Sequence, residues 1–113
     1  SEYAIANAKK EVKKYCRVAN AVDLPFDDDS IDVVISITTL HNLEENDLRA
    51  ALLEIERVAK RGSFITLDAY RDDNEKDRME AWNLTAKTVM RVDQWKEFFA
   101  DVGYSGDYNW FIP

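Results

Sequence analysis

The sequence predicts an α/β domain with parallel strands, and three observations carry that prediction. Residues 31–37 form an apolar run broken only by Asp32 and Ser36. Such a run without alternation marks a strand covered on both faces of a parallel sheet. Leu48, Leu52, Ile55 and Ala59 then recur at helical spacing, and residues 63–70 read as a second strand. Strand, helix, strand in that order is a crossover unit, which chirality makes right-handed and its strands parallel.

The remaining elements follow in order. Residues 2–15 put Ile5, Ala8, Val12 and Tyr15 on one helical face, with four lysines toward water and Ser1 as N-cap. Residues 16–21, small or β-branched, suit a strand, and the acidic stretch to Ser30 suits a loop and solvated turn. Asn46 is the expected N-cap of the central helix, whose stop is expected at Lys60, Arg61 and Gly62, a basic last turn and C′ glycine. Residues 72–75 read as a solvated linker, and Met79, Trp82, Ala86 and Val89 as the bulky face of a further helix. Asp93 is the expected cap of a last helix carrying Trp95, Phe98 and Phe99 into the core. Gly103 ends that helix before an aromatic strand over residues 104–112.

Composition sets the outer bounds. At 113 residues, 46% hydrophobic and 33% charged, the chain is a single folded domain rather than a disordered one. The net charge is −7, and no Lys or Arg occurs between Arg17 and Arg49 while eight acids do. A surface of that sign repels phosphate backbones, so no nucleic-acid partner is expected. Cys16 stands alone and no Cys/His spacing suggests a metal site, which fits a reducing cytoplasm. No apolar run approaches the roughly 20 residues of a membrane span.

Motifs narrow the reading. Residues 19–26 (Ala-Asn-Ala-Val-Asp-Leu-Pro-Phe), the acidic turn running into Ile31-Asp32-Val33-Val34, then Leu40-His41-Asn42-Leu43, and Ala51-Leu52-Leu53-Glu54-Ile55-Glu56-Arg57-Val58 lie in one register. Together they resemble the middle of class I S-adenosylmethionine-dependent methyltransferases. The resemblance implies an incomplete Rossmann-like methyltransferase fold: a mainly parallel sheet with an antiparallel C-terminal strand, the first two strands missing. It implies S-adenosylmethionine as cofactor and methyl transfer to a small-molecule acceptor that the sequence does not name.

By that resemblance Asn20 would accept from the adenine amino group, the Ala21 backbone would face the ring edge, and Ser36 and Ile37 would lie near the methionine moiety. His41 would sit close to cofactor and acceptor, as a base or positioning group, although a lone histidine after a strand is more often a packed or capping residue. Tyr70, Arg71 and Trp82 would line the acceptor pocket. Gly62, Gly103 and Gly106 are the only glycines, and none forms the family's Gly-x-Gly loop. The chain as given is therefore expected to be an incomplete, inactive part of the enzyme. The alternative is a non-catalytic module that folds by self-association, a homodimer through an exposed sheet edge.

Overall fold

The computed structural model describes residues 1–113. In chain order the elements are α1 (Glu2–Ala6), α2 (Lys10–Lys13), β1 (Ile31–Ile37), a 3-10 turn (Leu40–Asn42), α3 (Glu45–Val58), β2 (Ala59–Tyr70), α4 (Asp73–Trp82), β3 (Met90–Arg91), α5 (Val92–Val102) and β4 (Asp107–Phe111). β2 organises the sheet. β1 pairs with it in parallel, from Ile31 opposite Ala59 to Ile37 opposite Thr66, and the two residues of β3 join Ala69 and Tyr70. The α/β class and the parallel crossover are those expected, in an open Rossmann-like sheet.

The last strand corrects the expectation of an antiparallel end. β4 runs parallel to β2, with Phe64 opposite Asp107 and Asp68 opposite Phe111. The chain reaches β4 through α5, and a strand entered by a helical crossover returns in the same direction as the one it left. No helix is long and apolar enough to cross a membrane.

One face of the sheet holds the core. Leu48, Ala51, Leu52 and Ile55 of α3, Ile65, Leu67 and Ala69 of β2, and Trp95, Phe98 and Phe99 of α5 form one buried cluster. Helical spacing on α3 and α5 meets period-two alternation on β2, so each element turns a single stripe inward. α5 ends as read: Gly103 sits at φ 83°, and the N–H groups of Gly103 and Tyr104 both donate to the Phe99 carbonyl at 2.9 Å. Its cap is Arg91, however, with Asp93 inside the first turn.

α3 departs from its local signals at both ends. Glu44 rather than Asn46 is the N-cap, which leaves Glu45 and Asp47 in the first turn, where the helix dipole favours acids. The helix stops at Val58 and β2 begins at Ala59, so Lys60, Arg61 and Gly62 are strand residues, with Gly62 opposite Val33. Ala59 and Gly62 pair with Ile31 and Val33 on either side of a register shift at Lys60 and Arg61, and this pairing carries the chain as strand where the local signals predict a helix end.

The two segments after β2 also differ from the sequence reading. Residues 72–75 are a helix start: Asp72 caps α4 by accepting from the Glu75 N–H at 2.9 Å, and the buried Glu75 carboxylate accepts from the Arg71 N–H at 2.7 Å. α4 then ends at Trp82, because the Asn83 side chain accepts from the N–H groups of Thr85 and Ala86 at 3.0 and 2.7 Å. Such an Asx turn competes with helix, so Ala86 and Val89 lie on an irregular strap.

The N-terminal third is loosely attached. The expected helix over residues 2–15 is two short pieces broken at Asn7, and neither α1 nor α2 buries a residue. Ser1 does cap α1, accepting from the Ala4 N–H at 3.1 Å. A helix this short is marginal without a packed face. Residues 16–21 form no strand; Asn20 and Asp23 make an isolated bridge across a turn. The far side of β1 is correspondingly bare: Val33, Ile35 and Ile37 are 53, 65 and 53% exposed, where the apolar run predicts cover on both faces.

What holds the Leu24-Pro25-Phe26 loop is α3. Arg57 donates to the Phe26 carbonyl at 2.8 Å, the Leu24 carbonyl at 3.0 Å and the Asp28 carboxylate at 2.9 Å, while Glu54 accepts from the Leu24 N–H at 2.8 Å. The Arg57 guanidinium, and then the Leu24 N–H, hold the Glu54 carboxyl down at about 2. A carboxyl depressed in the folded state contributes stability above its unfolded value near 4.5, lost as pH falls toward 2. Acid unfolding followed by circular dichroism is therefore expected to steepen between pH 4.5 and 2, and Glu54→Gln to flatten that segment. An unchanged profile in the variant would contradict the assignment.

Candidate functional site

The carboxyl ends of β1 and β2 open on a pocket of about 240 Å³ lined by Thr38, His41, Asn42, Asp68, Asn83 and Trp82, with Leu84, Thr85 and Phe111 at its margin. Strand ends on this edge are where open parallel sheets place ligands. Thr38, directly after β1, has φ 48°, the left-handed region that a β-branched residue avoids. Its N–H donates to the Thr66 hydroxyl at 2.8 Å and the Thr66 carbonyl at 3.2 Å, which holds the strained turn in place. Backbone strain of this kind concentrates at sites of function.

His41 and Asp68 meet at the floor, 4 and 5% exposed. The Asp68 N–H donates to His41 Nδ1 at 3.3 Å, and His41 Nε2 lies 3.4 Å from Asp68 Oδ2. Because Nδ1 is an acceptor, the neutral ring carries its proton on Nε2, on the carboxylate's side but not hydrogen-bonded to it. Asn83 Nδ2 donates to the same Oδ2 at 3.2 Å, and Trp95 Nε1 to the Asp68 carbonyl at 3.1 Å. The His41 carbonyl in turn accepts from the N–H groups of Lys87 and Thr88 at 2.9 and 3.0 Å, tying the irregular strap to the pocket wall.

Burial dominates the electrostatics of this pair. It pushes His41 below the ordinary histidine range, against the opposing pull of Asp68, and pushes the Asp68 carboxyl up, against the opposing pull of His41. A carboxylate raised in this way is a better proton acceptor than an exposed one. His41 is the only histidine, so its ring signals are unambiguous in an NMR titration. The expected midpoint is below that of a free histidine, with Nε2–H the neutral tautomer; a midpoint above it would mean that Asp68 outweighs burial.

The expected site residues divide into four groups. His41 and Trp82 share the pocket. Ile37 lines an adjoining cleft that holds Thr38 and Phe111 in common with it, beside Trp110 and Asn109, and Ser36 precedes it, half-buried and opposite Ile65. Tyr70 faces a neighbouring hollow with Met79 and Val89, and Arg71 is spent on the Glu75 carboxylate. Asn20 uses its side-chain oxygen within its own turn, accepting from the Val22 N–H at 3.2 Å, while Ala21 packs against the core cluster. Asp68, Asn83, Asn42 and Thr38 line the pocket without having been among the expected site residues. Asp68 had a signal, a carboxylate inside an otherwise apolar strand, where an acid is rarely buried unless paired.

Comparison with known proteins now fixes the family. A family model described as a methyltransferase domain matches residues 1–67, more than half of the chain. The chain belongs to the methyltransferase domain family. A tRNA (carboxymethyluridine(34)-5-O)-methyltransferase of Arabidopsis thaliana is 34% identical over 79 residues, covering 69% of this chain and 19% of that protein. An uncharacterized protein of Haemophilus influenzae is 33% identical over 105 residues, covering 88% of this chain and 41% of its own length. The chain thus spans less than half the length of these relatives. No solved structure matches it significantly.

In this methyltransferase domain, two of the residues expected beside the cofactor lie at the carboxyl end of β1. The half-buried Ser36 and exposed Ile37 offer one polar and one apolar contact at the end of β1, next to the strained Thr38. Its glycines are placed otherwise: Gly62 lies within β2, Gly103 ends α5, and Gly106 packs against Tyr104 and Ser63.

Proposed function

We propose that the chain is the acceptor-side portion of an S-adenosylmethionine-dependent methyltransferase acting on a small molecule. The single observation that carries this reading is the buried His41–Asp68 pair in a pocket that adjoins the Ile37 cleft at the carboxyl edge of a parallel sheet. S-adenosylmethionine, when bound, supplies an electrophilic sulfonium methyl group. Ser36 and Ile37 would hold its methionine end, and Asn20 and Ala21 its adenine, once the Asn20 turn releases the side-chain oxygen. Thr38 and Phe111, common to the two hollows, fix the separation of donor and acceptor, and alignment of that kind is the main source of acceleration available to such a reaction.

A small acceptor is preferred to RNA on charge. Arg71 and Lys87, on the segments beside the pocket, pair with Glu75 and Glu44, and the chain carries −7 overall, which leaves little to release counterions from a phosphate backbone. A cytoplasmic setting suits the exposed, lone Cys16. The test is transfer of label from methyl-labelled S-adenosylmethionine to separated small-molecule and RNA pools. Protein-dependent label in the small-molecule pool supports the reading; label confined to RNA would transfer it to the kind of acceptor named for the Arabidopsis relative.

A second reading rests on β1. Its outer edge is unpaired and Val33, Ile35 and Ile37 are exposed, the arrangement that recruits another strand. A second copy offers the same edge, and a two-fold axis would pair the two β1 strands antiparallel. In this reading the chain is a non-catalytic self-associating module. Light scattering over a range of concentrations is then expected to show dimer, and Ile35→Lys to return monomer; a wild-type chain that stays monomeric would rule it out.

A further inference from the structure

We infer that the pocket at Asp68 binds an uncharged, protic ring of about phenol size, whose hydroxyl donates to Asp68 Oδ1, and that Asp68 receives the proton this acceptor sheds. The binding half stands independently of methyl transfer; the proton half rests on the methyl-transfer reading above.

Asp68 is only half used by its own chain. Oδ2 faces His41 Nε2 and Asn83 Nδ2, whereas Oδ1 has no partner within the chain. No buried side-chain polar atom of this protein is left without one, so Oδ1 opens on the pocket. An ionised carboxylate is acceptor-only, so what it meets there must be a donor. His41 brings little positive charge, since burial pushes it below the ordinary histidine range. A carboxylate or phosphate ligand would therefore face Asp68 with no cation between them, which disfavours acidic acceptors.

The walls select shape. Trp82 and Phe111 lie with ring centroids 5.5 Å apart at 43°, and Trp82 is 60% exposed although it lines the pocket. Aromatic pairs of this spacing accept a further ring by offset or edge contact. The volume, about 240 Å³, is below the roughly 300–1,000 Å³ of sites for drug-sized ligands, so one substituted ring is the natural occupant. On methylation, the acceptor oxygen would bond to the sulfonium methyl carbon. The C–S electron pair would stay on sulfur as a thioether, and the O–H proton would pass to Asp68.

Two fluorinated probes test this without any cofactor. 4-Fluorophenol is expected to bind saturably by ¹⁹F NMR and to move the His41 ring signals. 4-Fluorobenzoate, of the same ring but charged, is expected to bind at least about tenfold more weakly, the scale of one hydrogen bond to a charged group. Asp68→Asn should abolish that preference. Trp82→Ala, an exposed change that leaves the carboxylate in place, should weaken both probes while leaving the His41 titration unmoved, so the proposal stays testable if Asp68→Asn fails to fold. Equal or tighter benzoate binding, or phenol binding that leaves His41 unshifted, would overturn it. Phenol binding without methyl transfer in the labelling assay would leave this site standing and remove the proposed activity instead.

Discussion

Trp95→Ala is expected to cost about 3–5 kcal/mol of stability, the range for emptying a large buried aromatic site. Against a total of about 5–15 kcal/mol for a domain of this kind, that loss removes a large share of the margin. Trp95 is fully buried, stacked on Phe99 at 5.9 Å and edge-on to Phe98 at 6.1 Å, where α5 crosses the core face of β2. It also donates to the Asp68 carbonyl, so it links the core directly to the pocket floor. Trp95→Phe keeps most of the packing but leaves that carbonyl without its partner, and about 1–3 kcal/mol is the expected cost. Urea unfolding of the two variants checks both the order and the sizes.

On the proposed methyl-transfer reading, Asp68→Asn in an active enzyme containing this portion should lower the rate by about 10²–10⁴-fold, the usual contribution of a positioned general base. The amide keeps the shape of the carboxylate and can still accept from Asn83, but it takes up no proton. The loss should therefore appear in kcat more than in KM, and the acid limb of the pH–rate profile should disappear with it. His41→Ala acts on the same pair differently. It removes the acceptor of the buried Asp68 N–H and the neighbour of Oδ2, so a stability cost of about 1–3 kcal/mol accompanies the loss of rate. A rate that survives Asp68→Asn would show that alignment alone drives the reaction.

The features legible in the sequence were those in which local pattern and tertiary packing agree. The crossover from β1 through α3 to β2, the Gly103 stop and the aromatic stripe of α5 each bury the stripe that their periodicity announces. The Leu24-Pro25-Phe26 and Glu54/Arg57 motifs proved to be one structure, since the arginine on α3 holds the carbonyls of the loop. Where long-range pairing competes with local signals, the reading failed. Lys60-Arg61-Gly62 looks like a helix end but is claimed by β1, and residues 72–75 look like a linker but become a capped helix start.

Direction was a different matter. The parallel course of β4 follows from the crossover through α5, not from any residue within it. The site was legible only in part. His41 and Trp82 are rare residues and draw notice, whereas Asp68 gains its meaning from a histidine 27 positions away and Asn83 from the turn it closes.

The central claim is that the carboxyl ends of β1 and β2 form the meeting place of methyl donor and acceptor. Backbone amide NMR of the labelled protein, titrated with S-adenosylmethionine into the millimolar range, tests it most directly. Shifts gathered at Ser36, Ile37 and Thr38 and reaching Asn20, Ala21 and the His41 ring are the expected result. Shifts confined to the outer face of α5 or to the N-terminal helices, with residues 36–41 unmoved, would contradict it.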